Sequence, residues 1–117
     1  MHELGVVFHV IKSLNSIAKE QNIDKICRVT LQIGEVSTAI PSQITDCWNW
    51  AVKKETVLRD CPLVIERIPA ITKCNACGKT YETVRYGKIC PHCESPDTYL
   101  LQGNEFIIKD IAVSEQT

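Results

Sequence analysis

The chain has 117 residues, 44% hydrophobic but only 6% aromatic, and 13 basic against 14 acidic side chains give a formal net charge of −1. That length holds one small domain, or a modest aliphatic core plus a metal-stapled module. The near-neutral charge argues against a partner recognised through phosphates, and no run of roughly 18 apolar residues exists to span a bilayer.

The chain starts Met1-His2-Glu3. No basic region leads into an apolar stretch, so this does not read as a signal peptide. His2 is not a small residue, so Met1 is expected to stay. An α-amine (unperturbed pKa about 8), two backbone amides and an imidazole then lie together. Nitrogen donors of this kind suit Ni²⁺ or Cu²⁺ in tetragonal or square-planar binding. Amide nitrogens must lose protons to bind, so affinity should rise with pH. Glu3 could add a carboxylate or orient the imidazole. The plainer alternative is an incidental His2, with Glu3 merely complementing a helix dipole. The tripeptide alone does not choose between them.

Residues 3–21 read as an amphipathic helix, since Leu4, Val7, Ile11, Leu14 and Ala18 recur at steps of three and four. His9 sits off that stripe and reads as a partly exposed polar residue, and Asn22 fits a stop. Residues 26–35 alternate, with Cys27, Val29, Leu31 and Ile33 on one face, and read as a strand ending near Gly34. Pro41 suits the first turn of a second helix over about 41–55, whose buried face carries Ile44, Cys47, Trp48 and Ala51. A strand over 62–69 follows. The last strand runs from Phe106 to Val113, with Ile107, Ile111 and Val113 on one face and Phe106, Ile108 and Ala112 on the other.

Between these strands stand Cys74, Cys77, Cys90 and Cys93: two C-x2-C knuckles separated by twelve residues. Each knuckle aims two sulfurs at one point, and a facing pair closes a tetrahedral cage of four sulfurs. Zn²⁺ favours that cage because its filled d shell imposes no competing geometry. Gly78 permits the positive φ that lets amide N–H groups turn toward sulfur, and Pro91 stiffens the second knuckle. Lys73, Lys79 and Lys88 lie near enough in sequence to temper the charge of four thiolates. His92, inside the second knuckle, reads as solvent-facing, and Tyr81, Tyr86 and Tyr99 as cover for the cage and filling for a small core.

The expected fold is therefore α/β, a small sheet packed with two helices and carrying an inserted zinc-ribbon-like four-cysteine module. The domains would be 1–70 plus 103–117, and a zinc-binding insertion over 71–102 with short strands near 80–84 and 98–101. Four of the seven cysteines go to metal; Cys27, Cys47 and Cys61 read as small buried hydrophobes. An odd count of free thiols points to a reducing cytoplasm.

Met1-His2-Glu3-Leu4, the segment Val29-Thr30-Leu31-Gln32-Ile33-Gly34-Glu35, the two knuckles with Cys90-Pro91-His92-Cys93, and Gln102-Gly103-Asn104-Glu105 occur in this order. Together they resemble the HypA/HybF family of hydrogenase nickel-incorporation proteins, over essentially the whole chain. The resemblance implies a cytoplasmic metallochaperone that delivers Ni²⁺ during maturation of NiFe-hydrogenase. Nickel would bind Met1 through its amine, His2 through imidazole and amide, and Glu3 through its amide. Structural zinc would sit on Cys74, Cys77, Cys90 and Cys93. The implied partners are the GTPase HypB and the hydrogenase large subunit, with urease maturation proteins for some members. Both monomers and homodimers are expected, with no nucleic acid and no membrane. A fixed sulfur cage and a releasable nitrogen site divide naturally between shape and cargo.

Three other classes compete. A rubredoxin-like electron carrier would place iron in the same cage, leaving Met1-His2-Glu3 and the flanking α/β portion unexplained. A nucleic-acid-binding zinc ribbon would need a basic face, whereas the module carries nearly balanced charge. An enzyme would need a phosphate loop, a nucleophile with its base, or an open metal position, and none can be argued.

Overall fold

The computed structural model describes residues 3–113. Met1 and His2, on which two of the expected nickel ligands fall, lie outside the described residues. The element order is α1 (Glu3–Gln21), β1 (Ile26–Gly34), α2 (Pro41–Ala51), β2 (Leu63–Ile68), β3 (Ile71–Cys74), β4 (Thr80–Glu82), α3 (Thr83–Tyr86), β5 (Thr98–Gln102) and β6 (Phe106–Val113). Among the described residues, two three-stranded sheets form, ordered β2-β1-β6 and β4-β3-β5. The architecture is the mixed α/β arrangement expected. Among the described residues, no helix is long and apolar enough to cross a membrane.

In the first sheet, Val29 N–H donates to Pro62 O at 3.1 Å and Glu35 N–H to Ile68 O at 2.8 Å. Donor and acceptor numbers rise together, so β2 runs parallel to β1, with α2 as the crossover. Gly34 N–H donates to Glu105 O and Val36 N–H to Gly103 O, both at 2.8 Å. Those numbers run in opposite directions, so the segment entering β6 is antiparallel to β1.

The described residues fold as two compact units: 3–31 with 39–66 and 107–113, and 32–38 with 67–106. The first unit buries the α1 stripe, where Val7, Val10, Ile11, Leu14 and Ala18 fall at helical spacing. Ile44, Trp48 and Ala51 supply the α2 face, and Ile26, Val29 and Leu31 the strand. Trp48 is fully buried, and its indole N–H donates to Cys61 O at 2.7 Å, so its one polar atom is satisfied. The second unit is organised on β3, which pairs antiparallel with both β4 and β5.

Several expectations need correction. The second helix stops at Ala51, and Val52–Lys54 tighten into one 3-10 turn, a common way for a helix to end before Glu55 turns extended. Cys27 is exposed: Ile26, held through its N–H on Val57 O at 3.0 Å, takes the buried place instead. Burial in β1 does not alternate after Val29, because Thr30 is buried along with Val29 and Leu31. Cys47 is half-buried, and Cys61 alone of the three meets the buried description. β3 was not expected as a strand, and Thr83–Tyr86 form one helical turn where a strand end was expected.

Candidate metal centre

The centre is built from two equivalent turns. β3 ends on Cys74, whose N–H donates to Lys79 O at 2.9 Å while Gly78 N–H returns to Cys74 O at 2.9 Å. Gly78 has φ 75°, as its place after the first knuckle requires. The second turn repeats this pattern: Cys90 N–H donates to Ser95 O at 3.0 Å, and Glu94 N–H to Cys90 O at 2.8 Å. Here the left-handed position is filled by Glu94, at φ 64°. A Cβ in that region costs about 1 kcal/mol, which the surrounding turn must offset. No local signal announces it, because the residue is not glycine.

The four sulfurs converge. Cys74 Sγ lies 3.5 Å from Cys93 Sγ and Cys77 Sγ lies 3.7 Å from Cys90 Sγ. All four lie within 4.8 Å of one another. A tetrahedron of thiolates with metal–sulfur bonds of about 2.3 Å has edges of about 3.8 Å, so the donor set fits a tetrahedral metal. Cys74 and Cys90 are fully buried while Cys77 and Cys93 are exposed. The cage is thus rooted in the module on one side and reachable on the other.

The thiols cannot behave alike without a cation. The Cys77 backbone N–H is the main influence that lowers the Cys74 thiol to about 7, against the effect of burial. At Cys93 the Ser95 backbone N–H also lowers, but hydrogen bonding with the Cys74, Cys90 and Cys77 sulfurs, together with burial, outweighs it and raises the thiol to about 12. One sulfur leaning to thiolate beside another held as thiol is the pattern of a site that shares too few positive charges. A divalent metal removes that conflict by displacing the remaining protons.

Supporting contacts explain why the turns face each other. Asn75 joins Asp97 twice, through N–H to O at 2.9 Å and Nδ2 to Oδ1 at 3.1 Å. Thr98 Oγ1 donates to Lys88 O at 2.7 Å. Tyr81 packs with Cys74 and Cys90, its hydroxyl donating to Gly87 O at 2.8 Å. Tyr86 meets it edge-on, with centroids 6.0 Å apart. Tyr81 is therefore the tyrosine that covers the cage; Tyr86 and Tyr99 remain largely exposed. His92 and His9 are exposed, as the sequence suggests. Sequence reasoning missed Asn75 and Asp97, whose only signal was their position beside a knuckle.

At the other end of the chain, Glu3 opens α1 and is half-buried. With the Gln43 amide turned so that its nitrogen faces the carboxylate, it donates to Glu3 Oε2 at 3.1 Å and Oε1 at 3.2 Å. The motifs around Gly34-Glu35 and Gln102–Glu105 hold no metal ligand; they form scaffold. Glu35 Oε1 accepts from Ala70 N–H at 2.9 Å, Gln102 Nε2 donates to Pro69 O at 2.8 Å, and Gly103 N–H donates to Glu105 Oε1 at 2.8 Å.

Comparison with known proteins places these features. Residues 1–113 match the family described as hydrogenase/urease nickel incorporation, metallochaperone, HypA. A hydrogenase maturation factor HypA from Dehalococcoides mccartyi is 30% identical over 117 residues, covering 100% of this chain and 98% of the relative. Its counterpart from Trichodesmium erythraeum is 35% identical over 115 residues, covering 98% and 97%. The solution structure of the Ni metallochaperone HypA from Helicobacter pylori superposes with a TM-score of 0.72 at 26% identity, covering 99% of this chain and all of that one. A second solution structure of a HypA protein gives 0.74 at 28%, covering 97% of each chain.

Proposed function

We propose, from the premise that this chain belongs to the HypA family, that it is a nickel metallochaperone of hydrogenase maturation, with nickel as cargo. The observation that carries the reading is a match over nearly the full chain in a protein whose cysteines already form a separate closed cage. A cage with four sulfurs and no open position suits a resident ion, so cargo must bind elsewhere.

Nickel binds at Met1 through the amine, at His2 through imidazole and amide, and at Glu3 through its amide. The start of α1 at Glu3 supports this chemistry. The first four N–H groups of a helix have no intrahelical acceptor, so the Glu3 amide can lose its proton without breaking a helical bond. Helix amino ends repel cations through the macrodipole, and deprotonated amides reverse that local charge. A chain terminus with few ligands also permits stepwise exchange with an acceptor.

Zinc occupies Cys74, Cys77, Cys90 and Cys93 and supplies cross-linking, because a module this small has little core of its own. The division of labour is a nickel-binding domain over 1–70 plus 103–117 and a zinc-binding domain over 71–102. The chain works in the cytoplasm, where seven unpaired cysteines remain reduced. Its partners are a HypB-type GTPase and the large subunit of NiFe-hydrogenase, and it carries out no catalysis itself.

The test is a nickel titration of untagged, zinc-loaded protein beside His2→Ala and a version with one residue added before Met1. Both changes should abolish tight nickel binding while zinc stays near one per chain. Undiminished nickel affinity in either one refutes the terminal site.

A further inference from the structure

Gln43 is a residue that neither the cage nor the terminal tripeptide uses. It lies third in α2, whose N-cap is Ile40, a side chain with no capping atom, followed by Pro41. A glutamine at this place commonly reaches back to its own helix's N-cap in a capping box. Here its amide reaches across to α1 and donates to both oxygens of the Glu3 carboxylate, at 3.1 and 3.2 Å. The opposite amide orientation would set oxygen against two carboxylate oxygens, so the nitrogen-inward arrangement is the one chemistry selects.

This pair stands at the head of a longer seam. Leu4 shares a concavity of about 250 Å³ with Asp46, Cys47 and Trp50. The Phe8 and Trp50 rings meet edge-on with centroids 6.5 Å apart, and Asn15 Nδ2 donates to Glu55 Oε1 at 3.0 Å. Numbers on both sides rise together, so α1 and α2 run parallel here and present their amino ends side by side. Two helix dipoles then favour an anion at that end, and the Glu3 carboxylate is that anion. Its lone pairs are engaged toward α2 by Gln43. Its main-chain nitrogen, the first of α1, has no helical acceptor.

We propose that Gln43 is a positioning residue of the nickel terminus: it holds the Glu3 carboxylate against α2, so Glu3 meets nickel through its main-chain nitrogen and not its side chain. This rests on the terminal nickel site put forward above. Gln43 touches no metal. It acts by fixing the first turn of α1 and by keeping a competing oxygen ligand out of a nitrogen shell, which sets both affinity and ligand field.

The experiment uses the untagged, zinc-loaded full chain titrated with nickel sulfate against a competing chelator, with absorption spectra and thermal unfolding recorded in parallel. Gln43→Ala should weaken nickel binding about tenfold and move the nickel d–d band as the carboxylate enters the shell, with the unfolding temperature unchanged. Glu3→Gln, which retains the main-chain nitrogen, should still bind nickel and serves as the reference for the double variant. In Glu3→Gln/Gln43→Ala the band should match that of Glu3→Gln alone, because no carboxylate is left to intrude. Wild-type affinity and spectrum in Gln43→Ala overturn the role, as does a loss of affinity that merely tracks a lower unfolding temperature. A Glu3→Gln chain that loses nickel entirely also overturns it, by making the carboxylate a ligand. A wild-type chain without nickel affinity overturns the terminal site and this role together; an unaffected Gln43→Ala in a nickel-binding chain overturns this role alone.

Discussion

Replacing Gly34 by alanine should be among the most damaging single-methyl additions in the chain. A Cβ at this position would stand 1.9 Å from Gly103 O, 2.1 Å from Gly103 C and 2.5 Å from Asn104 N. All three are main-chain atoms, so no side chain can swing aside. The two strands must separate, and separation breaks Gly34 N–H to Glu105 O and Val36 N–H to Gly103 O, each 2.8 Å. Two such bonds are worth about 2 kcal/mol net, and forced displacement of packed backbone adds about 1–3 kcal/mol. A total of about 3–5 kcal/mol is a large share of the 5–15 kcal/mol typical of a folded domain. At about 4–8 °C per kcal/mol for a chain near this size, the unfolding midpoint should fall by more than about 10 °C. The assay is thermal unfolding of the zinc-loaded protein by circular dichroism, with Gly5→Ala as the matched control. Gly5 is an exposed helical residue with nothing within 4 Å of its Cβ, so alanine there should raise stability by about 0.5–1 kcal/mol. A Gly34→Ala midpoint within about 2 °C of wild type would refute the close-approach argument.

Three further outcomes follow from the thiols. Cys90→Ala should lose the bound metal and leave residues around the knuckles open to protease, measured by metal analysis and limited digestion. In the intact cage, loading must displace the Cys93 proton below about 12 and the Cys74 proton as well below about 7. Metal affinity should therefore drop at least about tenfold per pH unit descending to 7, and at least about a hundredfold per unit below it; a pH-independent affinity would contradict the coupled-thiol picture. Outside the cage, Cys27 is exposed whereas burial raises the Cys61 thiol, partly countered by Lys25 and assisted by Cys27. The native state keeps a Cys61 proton that the unfolded chain gives up, so stability from this group is full below the unfolded value and declines as pH rises past it. Iodoacetamide mapping by mass spectrometry should label Cys27 early and Cys61 only on unfolding; equal labelling would show that Cys61 is not buried.

Local patterns in the sequence carried most of the layout. The α1 stripe and the C-x2-C spacing are each set by contacts within a few residues, where the 3.6-residue and knuckle periodicities are decisive. Cys27 escaped because burial in β1 does not follow simple alternation: at its start Ile26, tied through its N–H to Val57 O, is buried in place of Cys27. Glu94 escaped because a left-handed turn is legible from glycine but not from a glutamate that a neighbouring turn forces into it.

The residues alone specified a helix beginning at Glu3 and two facing cysteine knuckles, since spacing along the chain determines both. Only the tertiary structure decided that Gly34 lies against Gly103, that Asn75 and Asp97 bind the knuckles together, and that Gln43 reaches Glu3. Those partners are 22 to 69 positions apart, and no sequence period links them. Their meeting depends on the parallel β1-α2-β2 crossover and on which main-chain atoms the packed elements bring within hydrogen-bond reach.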